Sequence, residues 1–468
     1  MGHIKHVHFI GIGGAGMAGI AEVLLRQGYV ISGSDLTENA LTQWLKVIGA
    51  TIYRGHAVPH IKHADVIVYS SAVSADNPEL VAARAAHIPI VPRAQMLGEL
   101  MRFRYGVAIS GTHGKTTTTS LLTSILAAAD LDPTFVIGGR LNSTGSHARL
   151  GKGQYLIAEA DESDASFLYL NPMISIVTNI DNDHMETYGH HVERLQKTFI
   201  EFIHKLPFYG LAALCVDDPG VREILPQLSR RVLTYGLSEE AHVRTLSYTQ
   251  QGLRAQFTVI RPQRAPLPVT LNLPGRHNVL NALAAIAVAT SLNVDDCAIL
   301  EALSNFSGID RRFQIYGEFA LQNAVGHVTF VDDYGHHPRE IESTLKAVRE
   351  CWPDRRIVMV YQPHRYTRTH DLMADFAQVL SLPDALLLLD VYSAGEAHIP
   401  HADGQSLALA IKTQGVIDPV FVSQQLQLPA LLQQTLRDGD ILLTQGAGNI
   451  GAIAAVLAKT NLAEVVHG

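Results

Sequence analysis

The residues with the clearest chemical signature lie in Val107-Ala-Ile-Ser-Gly-Thr-His-Gly-Lys-Thr-Thr-Thr-Thr119. An apolar run predicts a buried parallel strand, Ser110 to Gly114 a tight small-residue turn, and Thr116 onward a helix with Leu121, Leu122, Ile125 and Leu126 on its apolar face. Backbone N–H groups at such a helix N-terminus point at an anion, Lys115 adds positive charge, and the Thr116 hydroxyl suits Mg²⁺. Gly111, Thr112, His113, Gly114, Lys115, Thr116 and Thr117 are therefore candidate contacts for a nucleoside triphosphate. The usual eight-residue phosphate loop would carry a glycine where Ile109 stands, and the bland alternative is an ordinary strand-to-helix turn with a surface lysine.

Carboxylates and a histidine follow at the ends of two more apolar runs. Tyr155-Leu-Ile-Ala-Glu159 leads into Ala160-Asp-Glu-Ser-Asp164, and Ile174-Ser-Ile-Val-Thr-Asn179 into Ile180-Asp-Asn-Asp-His184. Ligands of α/β sheets bind at the carboxyl ends of the strands, so the glycine loop, Glu159 and His184 should converge. Mg²⁺ takes oxygen ligands, which suits Thr116 and Glu159; His184 is a less typical ligand, for a second ion or for the transferred phosphate. The alternative reading of Asp161 and Glu162 is a solvated helix start, with Ser163 or Asp164 as a cap.

A second glycine pattern opens the chain. His6-Val-His-Phe-Ile10 runs into Gly11-Ile-Gly-Gly-Ala-Gly16 and a helix from Met17 to Gln27, the G-x-G-x-x-G arrangement that lets backbone approach a diphosphate. NAD, FAD and a nucleotide sugar all satisfy it; the triphosphate-type loop that follows argues against a redox enzyme. Asp35, after Gly33-Ser34, could accept from a ribose, and Ser70 and Ser71 end another strand. Further on, Asn278 and Asn281 lie three apart at the start of an alanine-rich helix, where an amide could read an adenine edge or Asn278 could cap. Arg365 and Arg368 follow the buried run Ile357–Tyr361, and guanidinium grips phosphate or carboxylate as a fork.

The elements that must position these residues form an α/β chain of three domains. Residues 1–105 read as a Rossmann-like domain and 106–313 as a phosphate-loop domain with a parallel sheet plus peripheral antiparallel strands over Arg244 to Thr270. Residues 314–468 read as a third Rossmann-like α/β domain. The 468 residues are 47% hydrophobic and 17% charged, a well-cored globular composition. A net charge of −8 argues against non-specific nucleic-acid binding, so anions must be met by local Lys, Arg and helix N-termini. Three widely spaced cysteines suit a reducing cytosol rather than a zinc site or disulfide framework. No apolar run of about 18 residues is present and strand residues begin by Val7, so the expectation is a cytoplasmic chain with no membrane span.

Gly-Ile-Gly-Gly-Ala-Gly-Met17, Gly-Thr-His-Gly-Lys-Thr-Thr117, Glu-Ala-Asp-Glu-Ser-Asp164, Asn-Ile-Asp-x-Asp-His-Met185, Gly-Arg-His-Asn278 and Asp-Asp-Tyr-Gly-His-His-Pro338, in this order, closely resemble the Mur ligase family. Within it they are most similar to the alanine-adding branch. The resemblance implies a UDP-sugar domain, an ATPase domain and a C-terminal domain that closes over ATP and amino acid. UDP-N-acetylmuramate, L-alanine and ATP would be the substrates, with two Mg²⁺ ions for which Mn²⁺ can substitute, acting on a monomer or weak homodimer. By motif position it assigns Lys115 to the β/γ-phosphate, Thr116 and Glu159 to one metal, and His184 to the second. Asn278 and Asn281 would approach adenine, Arg312 and Asp333 the nucleotide, and His364, Arg365 and Arg368 the acyl and amino-acid end. Gly11, Gly13, Gly14, Ala15, Gly16, Ser34, Asp35, Ser70 and Ser71 would serve the UDP-sugar. One departure stands out: later-acting members carry a carbamylated lysine about fifteen residues after the metal histidine, a place here near Phe199, with Lys197 the closest lysine. The alanine-adding branch lacks that lysine too. A branch that recycles an intact tripeptide is the nearest alternative, and an ATP-hydrolysing regulatory protein a more distant one.

Overall fold

The computed structural model describes residues 1–321 and 325–465. Three sheets organise them. The first holds β1 (His6–Ile10), β2 (Val30–Asp35), β3 (Thr51–Arg54), β4 (Val66–Tyr69) and β5 (Ile90–Pro92), in the order β3-β2-β1-β4-β5 and parallel throughout. Ile10 stands opposite both Ser34 and Tyr69, so the Gly11 turn, Asp35 and Ser70 leave the sheet on one edge, beside the point where strand order reverses.

The second sheet comprises β6 (Tyr105–Ser110), β7 (Thr134–Leu141), β8 (Ser146–Arg149), β9 (Tyr155–Glu159), β10 (Ile174–Val177), β11 (Leu211–Cys215), β12 (Arg231–Gly236), β13 (Val243–Gln251), β14 (Arg254–Ile260) and β15 (Leu267–Leu271). Their order is β15-β14-β13-β12-β11-β10-β6-β9-β7-β8. Central β6 lies between β10 and β9, with Ile109 opposite Ile176 and Glu159, so the three polar loops leave side by side. The strands expected over 244–270 form the far edge; only two residues join β13 to β14, which makes them an antiparallel hairpin, whereas β13 runs parallel to β12. A helix after β10 begins at Val192 and ends at His204. Its first half is polar apart from exposed Val192 and buried Leu195, and Leu195, Phe199, Phe202 and Ile203 form the buried stripe. Lys197 lies on the exposed face of that helix while Phe199 is in the core.

The third sheet holds β16 (Gln314–Ala320), β17 (His327–Asp333), β18 (Ile357–Tyr361), β19 (Ala385–Leu389), β20 (Val420–Val422) and β21 (Ile441–Gln445), in the order β16-β17-β21-β18-β19-β20. Only β16 is antiparallel to its neighbour.

The chain divides into two compact units. One is Met1–Tyr248, Phe257–Thr270 and Leu280–Ser307; the other is Thr249–Gln256, Leu271–Val279 and Gly308–Gly468. The first sheet and the second, apart from the ends of β13, β14 and β15, thus share a unit, and one hydrophobic cluster runs from Val7, Ile20 and Leu97 to Val136, Ala148, Phe167 and Phe199. The seam is close. A Cβ on Gly19, in the helix Ala15–Arg26, would lie 3.1 Å from Val136 and 3.2 Å from Ala148, and one on Gly98 would lie 2.5 Å from the Tyr169 carbonyl oxygen.

Candidate active site

The helix Lys115–Ala128 has Gly114 at its N-cap with φ 84°, and a Cβ there would sit 2.5 Å from Asn281 Oδ1. Both facts require glycine: the left-handed backbone and the close approach of an amide. Gly111 is similar at φ 124°, where a Cβ would collide with Thr178. The loop is strapped to the segment after β10. His113 N–H donates to Asn179 Oδ1 (2.8 Å), Thr178 Oγ1 and Asn179 Nδ2 donate to the His113 carbonyl (2.6 and 3.0 Å), and Asp181 N–H donates to Thr112 Oγ1 (2.9 Å). Thr116 and Thr117 are buried at the start of the helix, and Asn281 Oδ1 also accepts from Thr118 Oγ1 at 3.2 Å.

Lys115 Nζ donates to Gly111 O (2.6 Å), Thr112 O (3.2 Å) and both oxygens of Glu162 (2.8 and 2.7 Å). Glu162 is 4% exposed, so the solvated-helix-start reading does not hold for it: its side chain turns inward to meet the lysine, while Asp164 stays exposed and only a short 3-10 turn, Ser166–Tyr169, follows. Burial pushes the Glu162 carboxyl up to about 7, with Lys115 opposing. Burial also works against the Lys115 charge, but Glu162, Asp161 and Glu159 outweigh it and its pKa rises. The proton therefore stays on the lysine. Glu159, ending β9, accepts from Gly138 N–H at 2.7 Å. His184 adopts φ 54° in a loop whose Thr187 Oγ1 and Tyr188 hydroxyl donate to the carbonyls of Ser163 and Glu162, which ties its loop to the acidic one. Asp164 Oδ1 accepts from Ser166 N–H two residues on, a local turn contact rather than a helix cap, since Ala165 is the N-cap of the 3-10 turn Ser166–Tyr169.

In the first sheet, Gly14 caps the helix Ala15–Arg26 without a side-chain bond, and no acid occupies the first turn. Gly14 is exposed and Ala15 and Gly16 half-buried, leaving the N-terminal N–H groups of that helix approachable. Asp35 Oδ2 accepts from Gly13 N–H at 2.8 Å, so the carboxylate assigned to a ribose also holds the glycine turn. Ser70 Cβ would lie 3.3 Å from a Cβ on Gly11, and Ser71 is exposed. Ser34 Oγ donates to Glu79 Oε2 at 2.5 Å. Glu79, fully buried, also accepts from His60 Nδ1 (2.7 Å) and Ala57 N–H (3.1 Å), with His8 Nε2 at 3.5 Å and His56 Nδ1 at 3.4 Å. Burial raises its pKa, but hydrogen bonds from His8, Ser34 and His60 prevail and bring it down to about 2.

In the second unit, Asn278 lies inside the first turn of the helix Arg276–Ser291 rather than at its cap, and its amide donates to the Pro274 carbonyl at 2.7 Å. Asp333 accepts from Phe313 N–H and Gly335 N–H, both 2.8 Å. The Arg312 guanidinium lies 4.9 Å from the Tyr334 ring centroid. Its neighbour Arg311 donates to Asp332 Oδ2 (2.8 Å) and the Gly446 carbonyl (2.7 Å). Arg365 adopts φ 73° at the entrance to the helix Tyr366–Asp371, where Glu396 accepts from Thr367 N–H and Oγ1 at 3.1 and 2.8 Å and lies 3.5 Å from Arg365 Nη1. Arg368 is buried and donates to the His364 carbonyl at 3.2 Å, and the His364 ring stacks on Tyr392. Sequence reasoning gave no role to Glu79, Arg311 and Glu396, quoted Asp181 only within a motif, and left Glu162 open between a site carboxylate and a solvated helix start; each acts on a distant segment, which a local pattern does not reveal.

Comparison with known proteins gives the same architecture a family. The profile of the Mur ligase family catalytic domain matches residues 6–105, that of the Mur ligase middle domain 109–289, and that of the Mur ligase glutamate ligase domain 311–448. Among solved structures, the UDP-N-acetylmuramate-alanine ligase MurC of Thermotoga maritima is 29% identical, with a TM-score of 0.82 over 98% of this chain and 99% of that one. A murein peptide ligase of Psychrobacter arcticus is 23% identical with a TM-score of 0.73, covering 99% and 100% of the two chains. The MurF ligase of Thermotoga maritima in complex with ADP is 17% identical with a TM-score of 0.63, covering 92% and 95%. The latter two likenesses are of fold alone. Three successive domain profiles and a full-length structural match lead to one conclusion: the chain belongs to the Mur ligase family.

Proposed function

We propose that this chain is a cytoplasmic ATP-dependent ligase that joins L-alanine to the carboxylate of UDP-N-acetylmuramate, releasing ADP and phosphate. The observation that carries the reading is Lys115, an ammonium kept charged inside the phosphate loop at the carboxyl end of β6, one strand away from Glu159. The likeness over 98% of the chain to a UDP-N-acetylmuramate-alanine ligase supports the choice of branch.

The glycine turn after β1 takes the nucleotide diphosphate, and the loop after β6 takes the triphosphate. Lys115 leaves Glu162 for the β/γ-phosphates and offsets charge as the γ-phosphoryl moves to the substrate carboxylate. The amine of alanine then attacks the acyl phosphate; a tetrahedral intermediate collapses with loss of phosphate, and Arg365 and Arg368 supply positive charge at that end. Asn278 and Asn281 approach adenine, with Arg312 and Asp333 reaching the nucleotide. The buried Thr116 hydroxyl and the Glu159 carboxylate, oriented by Gly138 N–H, are the hard oxygen donors that Mg²⁺ requires, and the ion would neutralise phosphate charge there; His184 belongs to the same loop system.

The test is phosphate release from ATP and Mg²⁺ with UDP-N-acetylmuramate and each common amino acid in turn. Release that needs both the sugar nucleotide and L-alanine establishes the reading. Release only with a tripeptide moves the chain to the recycling branch, and release indifferent to the sugar nucleotide refutes ligation.

A further inference from the structure

Arg93 is the first residue of the helix Arg93–Met101, directly after β5, and so stands at the carboxyl edge of the first sheet where ligands of parallel sheets bind. Its side chain reaches back to the glycine turn: a Cβ on Gly16 would lie 3.2 Å from Nη1 and 3.3 Å from Cδ. On its other side Nη2 lies 3.3 Å from Asp161 Oδ2, at the carboxyl end of β9 in the second sheet. This pair is long for a charge-assisted bond, which ordinarily measures about 2.7–2.9 Å. It is also open to water, with 22% of the arginine side chain and 39% of the aspartate exposed. A guanidinium has five N–H donors, so a single loose partner leaves most of its binding capacity unspent.

We propose that Arg93 binds the diphosphate of the sugar nucleotide, and that its contact with Asp161 holds the guanidinium in place until that ligand arrives. The proposal rests on the sugar-nucleotide reading above. A diphosphate lying over Gly14–Gly16 presents oxygens to the guanidinium in the fork geometry that arginine matches and lysine does not. The bond to Asp161 would then weaken as Arg93 turns to the ligand, so filling the first sheet's site changes the charge beside the Lys115–Glu162 pair, where Asp161 also acts on Lys115.

The experiment is calorimetric titration of the full chain with UDP and with UMP, for wild type, R93A, R93K and D161N, with KM for ATP measured alongside. R93A should bind UDP at least about tenfold more weakly, the loss expected for charge-assisted hydrogen bonds. UMP affinity should change much less, and KM for ATP should move by far less than UDP affinity, only as much as freed Asp161 alters the charge beside Lys115. R93K should recover only part of the loss, and D161N, which removes the competing carboxylate, should bind UDP at least as tightly as wild type. Wild-type UDP affinity in R93A, an equal loss of UDP, UMP and ATP in R93A, or a loss in D161N that matches R93A would each overturn the proposal and leave Arg93 as a strap between two sheets. If wild type itself fails to bind UDP, the sugar-nucleotide reading falls first.

Discussion

Glu162→Gln isolates the role of the carboxylate that holds Lys115. Removing one member of a buried ion pair typically costs ~3–5 kcal/mol. Here the loss should be smaller, about 1–3 kcal/mol in mild acid and shrinking as pH rises, because burial disfavours the ionised carboxylate and Lys115 keeps the Gly111 and Thr112 carbonyls and the nearby charges of Asp161 and Glu159. In a unit of this size that amounts to a few degrees in Tm by thermal unfolding without nucleotide. With ADP the sign reverses. In wild type, a phosphate that takes Lys115 leaves Glu162 buried without its cation; glutamine bears no such penalty. ADP should therefore bind E162Q more tightly, by roughly tenfold for one charge-assisted bond, and raise its Tm by more than it raises that of wild type. The pH dependence gives a second readout. The folded carboxyl is raised to about 7 from the ordinary 4.5, so its contribution to stability is complete below about 4.5 and is lost as pH rises through 7. E162Q should flatten that stretch. An unchanged nucleotide-free Tm, or weaker ADP binding in E162Q, would refute the reasoning.

Lys115→Ala should abolish ligation in the phosphate-release assay while circular dichroism stays that of wild type; retained turnover would exclude the phosphate role. Glu79→Gln should destabilise the chain by on the order of 3 kcal/mol at pH 7, the worth of a carboxyl pKa brought from 4.5 to about 2. Since the folded pKa is depressed, that advantage of wild type holds above pH 4.5 and disappears as pH falls through 2, so urea midpoints of the two proteins should converge in acid. Gly98→Ala should lower Tm by several degrees, because its methyl would meet the Tyr169 carbonyl 2.5 Å away; an unshifted Tm would mean that the seam yields at little cost.

What the sequence disclosed followed from how local each signal is. The two glycine turns, the Lys115–Thr116 start and the strand ends at Glu159 and Arg365 announce themselves within a dozen residues, because turn geometry and strand burial are local constraints. Glu162 meets Lys115 across 47 residues and Arg93 meets Asp161 across 68, and nothing in Glu-Ala-Asp-Glu-Ser-Asp164 says which carboxylate turns inward. That loop is held by hydrogen bonds from Tyr188 and Thr187, contributed by a later segment. Strands β16 and β20 escaped notice for different reasons. β16 carries an irregularity between Ile315 and Gly317 that breaks alternation, and β20 has only three residues. The start of the helix at Val192 carries little local signal, because only Val192 and Leu195 interrupt its polar first two turns.

The seam at Gly19 and Gly98 bears on how such a chain can be rearranged. Because helix Ala15–Arg26 packs without a Cβ against Val136 and Ala148, and the Arg93–Met101 helix against the Tyr169 carbonyl, the first hundred residues are not a detachable cassette. Grafting them from a relative onto this phosphate-loop sheet would bring methyl groups or gaps to a surface that tolerates neither. A chimera that keeps residues 1–307 from one parent crosses no part of this seam, whereas one joined near residue 105 cuts through its core. Recombination between relatives should succeed at the first junction and yield insoluble or inactive chains at the second.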